Sequence, residues 1–448
     1  MTSNLKPTGM RAFMVIAIGQ VASLLGTGMT GFGLTIWAFG ETGRATDLAL
    51  IGFFFITPML LFSPTAGAIV DRSDRKVMMI LSDLASGLMT IVVLILFTSG
   101  ALEIWHLFIT SAISGTFQAF QWPAYSAAIS VMLPKDQYGR AQGITSLGES
   151  ASGIIAPLLA GAVIGFFGLT VILIVDIITF SIAIGALLFV EIPSPPQTEA
   201  GRQGRGSIWT ESAYGFRYIF RRPSLLGLQI VFMAGNFLAS IGFTLFAPMI
   251  LTRTGNDELI FASIQSVGAV GGVVGGAVMS IWGGPKRLVH GVLLGWVASS
   301  LLGQVMLGLG QNAVVWSVGA FFVFFFVPII NGSNQAIWQA KVAPDVQGRV
   351  FAVRRLIAWV STPLAQLIAG PLADNVFEPA FTSESALSSA FSWLVGVGPG
   401  AGMALILVLS GLLAIVVSLA GYLFPIVRNA EALLPDHDAI QAAAGVQA

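Results

Sequence analysis

The chain reads as twelve apolar segments, at approximately 12–40, 48–70, 77–99, 104–133, 142–166, 169–190, 223–251, 259–282, 288–309, 313–340, 350–372 and 399–425, divided by charged or Gly/Pro/Asn-rich breaks. A helix needs about 20 mostly apolar residues to cross a ~30 Å hydrocarbon layer, and in lipid it must satisfy its own backbone. Twelve such segments predict an all-α membrane protein. With 55% hydrophobic residues and a mean hydropathy of +0.86, a water-soluble domain could not bury so much apolar surface.

Orientation follows from the basic residues, which favour cytoplasmic loops. With the N-terminus inside, all of the 21 Lys and Arg except Arg44 and Arg253 fall on the cytoplasmic side. Both termini are therefore expected in the cytoplasm, and the protein as a multi-pass chain in the membrane. The first segment is too long for a signal-peptide core and is expected to be retained. The chain has no cysteine, which removes disulfides and thiolate metal sites, and its zero net charge gives no sign of nucleic-acid binding.

Residues 191–222 form the one long polar break, with Pro193, Pro195 and Pro196 followed by glycines and arginines. They read as a cytoplasmic linker between a bundle over 1–190 and another over 223–427, with 428–448 as a tail. Inside the linker, Ile208, Trp209, Ala213, Phe216, Ile219 and Phe220 recur at helical spacing beside Arg217, Arg221 and Arg222, as expected of an amphipathic helix on an anionic membrane surface. The halves repeat: Gly139-Arg140 and Gly348-Arg349 stand 209 residues apart, as do Gly161 and Gly370, and Gly67 and Gly276. A parallel six-plus-six repeat implies a pseudo-twofold axis along the membrane normal and a cavity between halves, which is a transporter's plan.

Between the second and third segments lies Gly67-Xaa3-Asp71-Arg72-Xaa2-Arg75-Lys76, a dense charge cluster in a chain that is only 9% charged. The loop resembles the signature of the major facilitator superfamily. Pro58 to Pro64, Leu81-Ser82-Asp83, Asp176 to Phe180 and Gly348-Arg349-Val350-Phe351 resemble the branch of macrolide-efflux and enterobactin-exporter-type permeases. The resemblance implies the twelve-helix fold of two pseudo-twofold-related bundles, and export of a small molecule coupled to the proton gradient. Gly67, Asp71, Arg72, Arg75, Lys76 and the nearby Asp83 are then expected to form a cytoplasmic gate. Asp71 could pair with Arg75 or face the positive N-terminus of the eleventh helix. The duplicate loop, Trp282 to Arg287, lacks the acid.

In the fifth segment, Ser152, Ala156, Pro157 and Gly161 stand where the antiporter motif of drug exporters has Gly-Xaa3-Gly-Pro and a later glycine. Small residues there would admit a close neighbour, expected to be the eighth helix through Gly268, Gly272 and Gly276, and Pro157 would bend the helix. Ionisable groups inside a bilayer are costly and usually functional. Glu149 and Asp176 are the candidates for the coupling proton, Glu149 first, because no Lys or Arg of its own helix neutralises it at its depth.

The substrate wall is expected from Gln20, Thr27, Gln118, Gln121, Trp122, Phe232, Asn236, Asn331, Asn334 and Gln335, since uncharged amides among rings suit an amphiphilic, mostly apolar ligand. Arg354 and Arg355 could instead receive an anion, although a topological role is the plainer reading. No P-loop, nucleophile cluster or metal-ligand spacing is present, so neither an enzyme nor a cofactor or metal site is expected. The expected partners are a small-molecule substrate, the proton and membrane lipid, with the chain acting as a monomer. Two other readings remain: a flippase for lysophospholipid or similar cargo, and a non-transporting membrane sensor.

Overall fold

The computed structural model describes residues 9–134, 137–192, 208–342, 346–383 and 385–434. Among them the regular structure is helical throughout. The helices are α1 (Gly9–Thr42), α2 (Ala45–Arg72), α3 (Arg75–Thr98), α4 (Ile104–Met132), α5 (Tyr138–Phe189), α6 (Ile208–Phe220), α7 (Pro223–Thr254), α8 (Glu258–Trp282), α9 (Leu288–Leu309), α10 (Ala313–Lys341), α11 (Val350–Thr382), α12 (Ala386–Val395) and α13 (Ala401–Leu423).

Ten stretches among the described residues are long and apolar enough to cross a membrane. They differ from the twelve expected segments in two places. The fifth and sixth segments run on as α5, which is broken only at Gly168, where φ is 72°. Glycine is the residue that reaches this left-handed region without a Cβ clash, so the chain turns there. The other place is α4, which has 29 residues but lower hydropathy, because Ser111, Ser114, Gln118 and Gln121 interrupt its apolar surface. The eleventh segment also extends beyond 372: α11 continues through a π-helical turn, Ala373–Phe377, to Thr382. The Glu378 carboxylate then caps α13, accepting from the amides of Gly400 at 2.9 Å and Met403 at 2.7 Å.

The chain forms two compact units, Met1–Arg205 with Asn256–Ser266, and Gly206–Gly255 with Val267–Ala448. In the first, the core at one end gathers Phe13, Ile16, Met79, Tyr125, Met132 and Leu187 from α1, α3, α4 and α5. α2 and α4 approach so closely that a Cβ on Gly115 would collide with the Phe55 carbonyl. Lipid tails offer no hydrophobic drive between helices, so such backbone approach is what membrane packing uses. Rings such as Phe166 and Phe167 are left exposed, as suits a lipid-facing surface.

In the second unit the core includes Ile219, Leu228, Trp296, Ile337, Trp338, Val350 and Val427. Here α6 departs from the expected interfacial anchor. Its Ile219 is fully buried in this core, and Tyr218 donates to the Lys341 carbonyl at 3.3 Å, so that end of α6 is part of the bundle while Phe220 stays exposed. The side chains of Ile208 to Ala213, and the tail beyond Leu434, lie outside the described residues.

Candidate functional site

A cavity of about 330 Å3 opens inside the N-terminal unit, between α1, α3, α4 and α5, with Phe55 of α2 at its wall. Asp83, Glu149 and Asp176 all line it, and among the described residues no Lys, Arg or His does. Its remaining surface is mostly apolar, with Leu24, Leu34, Met89, Val93, Trp122 and Phe180.

Two of the acids are held in polar rungs between neighbouring helices. In one, Gln20 Nε2 of α1 donates to Asp83 Oδ2 at 2.9 Å, and Gln121 Nε2 of α4 donates to Oδ1 at 2.9 Å and to Gln20 Oε1 at 3.0 Å. In the other, Thr27 Oγ1 of α1 donates to Asp176 Oδ1 at 3.1 Å, and Thr90 Oγ1 of α3 donates to Oδ2 at 2.8 Å. Thr27 follows Gln20 by seven residues and Thr90 follows Asp83 by seven, so the rungs are two turns apart, about 10 Å at 1.5 Å per residue. A Cβ on Gly26 would lie 3.0 Å from both Asp176 Cα and Oδ1, so that glycine is what lets α1 close on the second rung.

Glu149 is different. It is exposed on the cavity wall, and no described residue hydrogen-bonds it. None of the three acids has an ion-pair partner among the described residues. Asp83, expected in the gate on account of its closeness to Lys76, is placed in the cavity instead, because its turn of α3 faces Gln20 and Gln121.

The family model of the Major Facilitator Superfamily matches residues 16–366. This chain belongs to that superfamily. It is 25% identical over 378 residues to macrolide efflux protein A of Streptococcus pyogenes, covering 81% of this chain and 90% of the relative. It is 26% identical over 371 residues to the multidrug efflux pump Tap of Mycolicibacterium fortuitum, covering 78% and 87%. Among solved structures, a bacterial homolog of the human lysosomal transporter Spinster, inward-facing and unoccupied, superposes with a TM-score of 0.64 at 16% identity over 94% of this chain and 97% of that one. A POT family transporter bound to 5-aminolevulinic acid gives 0.67 at 13% identity over 94% and 98%. These structures share the fold. This facilitator is thus a multi-pass membrane transporter and not an enzyme.

The other expected residues divide by unit. Gln20, Thr27, Gln118, Gln121 and Trp122 come together on the cavity wall of the first unit. In the second unit the expected wall residues make separate contacts. Phe232 is buried edge-on against Trp296, with ring centroids 6.0 Å apart. Asn236 Nδ2 donates to the Ala358 carbonyl at 3.2 Å, and Asn334 Oδ1 accepts from Trp338 Nε1 at 3.1 Å. Gln335 Oε1 accepts from Arg354 Nη2 at 2.7 Å, and Asn331 is exposed.

In the gate loop, Gly67 ends up within α2, and its surroundings, like the side chains of Asp71 and Arg72, lie outside what is described. Arg75 donates to the Ala127 carbonyl at 2.8 Å, and Lys76 to the carbonyls of Leu188 at 3.2 Å and Val190 at 2.7 Å. The two cations therefore sit at the C-terminal ends of α4 and α5, where the helix dipole favours positive charge. Asp74, not singled out from sequence, caps α3 by accepting from the amides of Lys76 and Val77.

Ser152 and Ala156 are buried on the small-residue face of α5. Its neighbour within the first unit is the opening of α8, through Ala262 and Ser266 and not through the expected glycines. A Cβ on Gly161 would lie 2.8 Å from Ala262 Cβ, and Ser266 Oγ donates to the Ile154 carbonyl at 2.8 Å. Gly268 and Gly272 instead face Phe324, and nothing lies close to Gly276. The helix runs on through Pro157, and its break comes at Gly168. Sequence reasoning also missed Thr30 and Thr90. The signal was available for Thr90, which shares a helix face with Asp83 two turns away.

Proposed function

We propose that this transporter exports amphiphilic, largely apolar small molecules from a prokaryotic cytoplasm as a proton antiporter. The observation that carries the reading is a mostly apolar cavity with three carboxyl groups and, among the described residues, no cationic side chain in its wall. Apolar walls with a few placed polar groups are how proteins hold drug-sized ligands. Intramembrane acids are the usual carriers of coupling protons. Glu149, free of hydrogen bonds from described residues, can gain and lose a proton without dismantling a rung, so it is the coupling group. The relatives' names, a macrolide efflux protein and a multidrug efflux pump, support the outward direction.

The loop from Gly67 to Lys76 is the cytoplasmic gate in this reading, and Arg75 and Lys76 fix the start of α3 to the ends of α4 and α5. The two bundles joined by the linker over 191–222 alternate access, with both termini in the cytoplasm. The test is transport in proteoliposomes across an imposed pH gradient, with a panel of macrolides, siderophores and lysolipids. Gradient-dependent movement of a macrolide or siderophore is expected. Movement of lysolipid alone would turn the reading to the flippase, and no movement of any compound would overturn it.

A further inference from the structure

The rung around Asp176 is built differently from a site that only holds a proton. Asp176 is buried at 3% exposure, yet it receives hydrogen bonds from Thr27 and Thr90 and has no cationic partner among the described residues. Donated hydrogen bonds stabilise a carboxylate's negative charge, while burial without a counter-charge opposes it. A bound cation reconciles the two.

A third hydroxyl points to the same conclusion. Thr30, one turn beyond Thr27 on α1, is only 7% exposed, and its Oγ1 faces the Asp176 carboxyl without completing a hydrogen bond. A buried hydroxyl with no partner asks for an explanation such as a missing ion or water. Thr27, Thr30, Thr90 and Asp176 line one cavity and together offer two carboxylate and three hydroxyl oxygens. Each hydroxyl can rotate its proton away and turn a lone pair inward.

We propose that Asp176, Thr27, Thr30 and Thr90 form a sodium site in the N-terminal bundle. An all-oxygen set suits a hard cation, and a single carboxylate matches a single positive charge, which disfavours calcium and magnesium. Sodium bound there joins α1, α3 and the second half of α5, beside the cavity that Glu149 lines. Its purpose rests on the transporter reading above, since an ion at this place would be a second coupling ion or a fixed brace of the bundle. Its existence does not depend on that reading.

The test uses the purified full-length protein and sodium itself. Equilibrium binding of radioactive sodium, and the unfolding temperature in sodium against potassium and choline chloride, are measured for the wild type, Asp176→Asn, Thr30→Val and Glu149→Gln. Saturable binding of one sodium per chain is expected, with stabilisation by sodium and not by choline. Loss of a ligand should weaken binding by about 10- to 100-fold in Asp176→Asn and Thr30→Val, with Glu149→Gln unchanged. Thr30→Val is decisive if Asp176→Asn fails to fold, because Thr30 Oγ1 faces only the Asp176 carboxyl and completes no hydrogen bond of good geometry there. Undiminished sodium binding in Thr30→Val, or equal stabilisation by all three salts, overturns the site. Failure of drug transport with intact sodium binding would overturn the transport reading and leave the site standing.

Discussion

The polar residues of the two units are used in opposite ways. In the N-terminal unit the amides, hydroxyls and acids line an open cavity, and even the bonded ones meet on its wall. In the C-terminal unit the corresponding amides are spent inside the bundle: Asn236 on the Ala358 carbonyl, Asn334 on Trp338, and Gln335 on Arg354. Gln304, whose Nε2 donates to the Leu238 carbonyl at 3.1 Å and to Ser410 Oγ at 2.6 Å, extends the pattern. The two units thus differ, one keeping polar groups on a cavity wall and the other turning them into interhelical ties. Substitutions in the first should change affinity or coupling, and those in the second should change stability.

The largest expected effect is on the stability side. Phe232→Ala removes a buried ring from Trp296 and should cost about 3–5 kcal/mol, seen as a lower unfolding temperature, with no change in the KM of any transported substrate. A rise in KM without destabilisation would move Phe232 to a binding role. Next comes Gln304→Leu, which removes the hydrogen bonds to the Leu238 carbonyl and Ser410 Oγ and should cost about 1–3 kcal/mol by the same measurement, again with KM unaltered.

The contrasting substitution is in the cavity. Trp122→Ala removes a ring that is 42% exposed there. It should weaken substrate binding by about tenfold, the worth of roughly 1.4 kcal/mol of ligand contact, while the unfolding temperature stays near that of the wild type. Equal loss of stability would place Trp122 with the packing residues. Of the changes to stability the smallest is expected from Gly168→Ala, since a Cβ at this positive φ costs about 1–2 kcal/mol and nothing lies within 4 Å of the position. It should lower the unfolding temperature slightly and leave transport intact.

Much of the fold was legible because crossing a bilayer forces long apolar runs, and every loop of low hydropathy then marks a boundary. The break between the fifth and sixth segments was legible too, since a glycine marks it at Gly168. What sequence could not show was register between helices. Asp83 was assigned to the gate by its depth along α3 alone, yet its role in the cavity depends on α1 and α3 running parallel with Gln20 level with Asp83 and Thr27 level with Thr90. The same limit hid the division between units. Asn236 and Gln121 are both mid-span amides, and only packing decides that one meets a backbone carbonyl while the other meets a carboxylate. The approach of Gly161 to Ala262 was likewise read as a contact with the glycines further along α8, because small residues at helical spacing do not say which of two stretches lies opposite.

The central claim is that the acid-lined cavity of the N-terminal unit couples export to protons through Glu149. It is tested most directly by uphill export in proteoliposomes with an imposed pH gradient, comparing the wild type with Glu149→Gln for a substrate both bind. The account predicts that Glu149→Gln binds that substrate with unchanged affinity and loses proton-driven export by about 100-fold or more, the scale on which a positioned proton-transfer group acts. Undiminished uphill export by Glu149→Gln would contradict it.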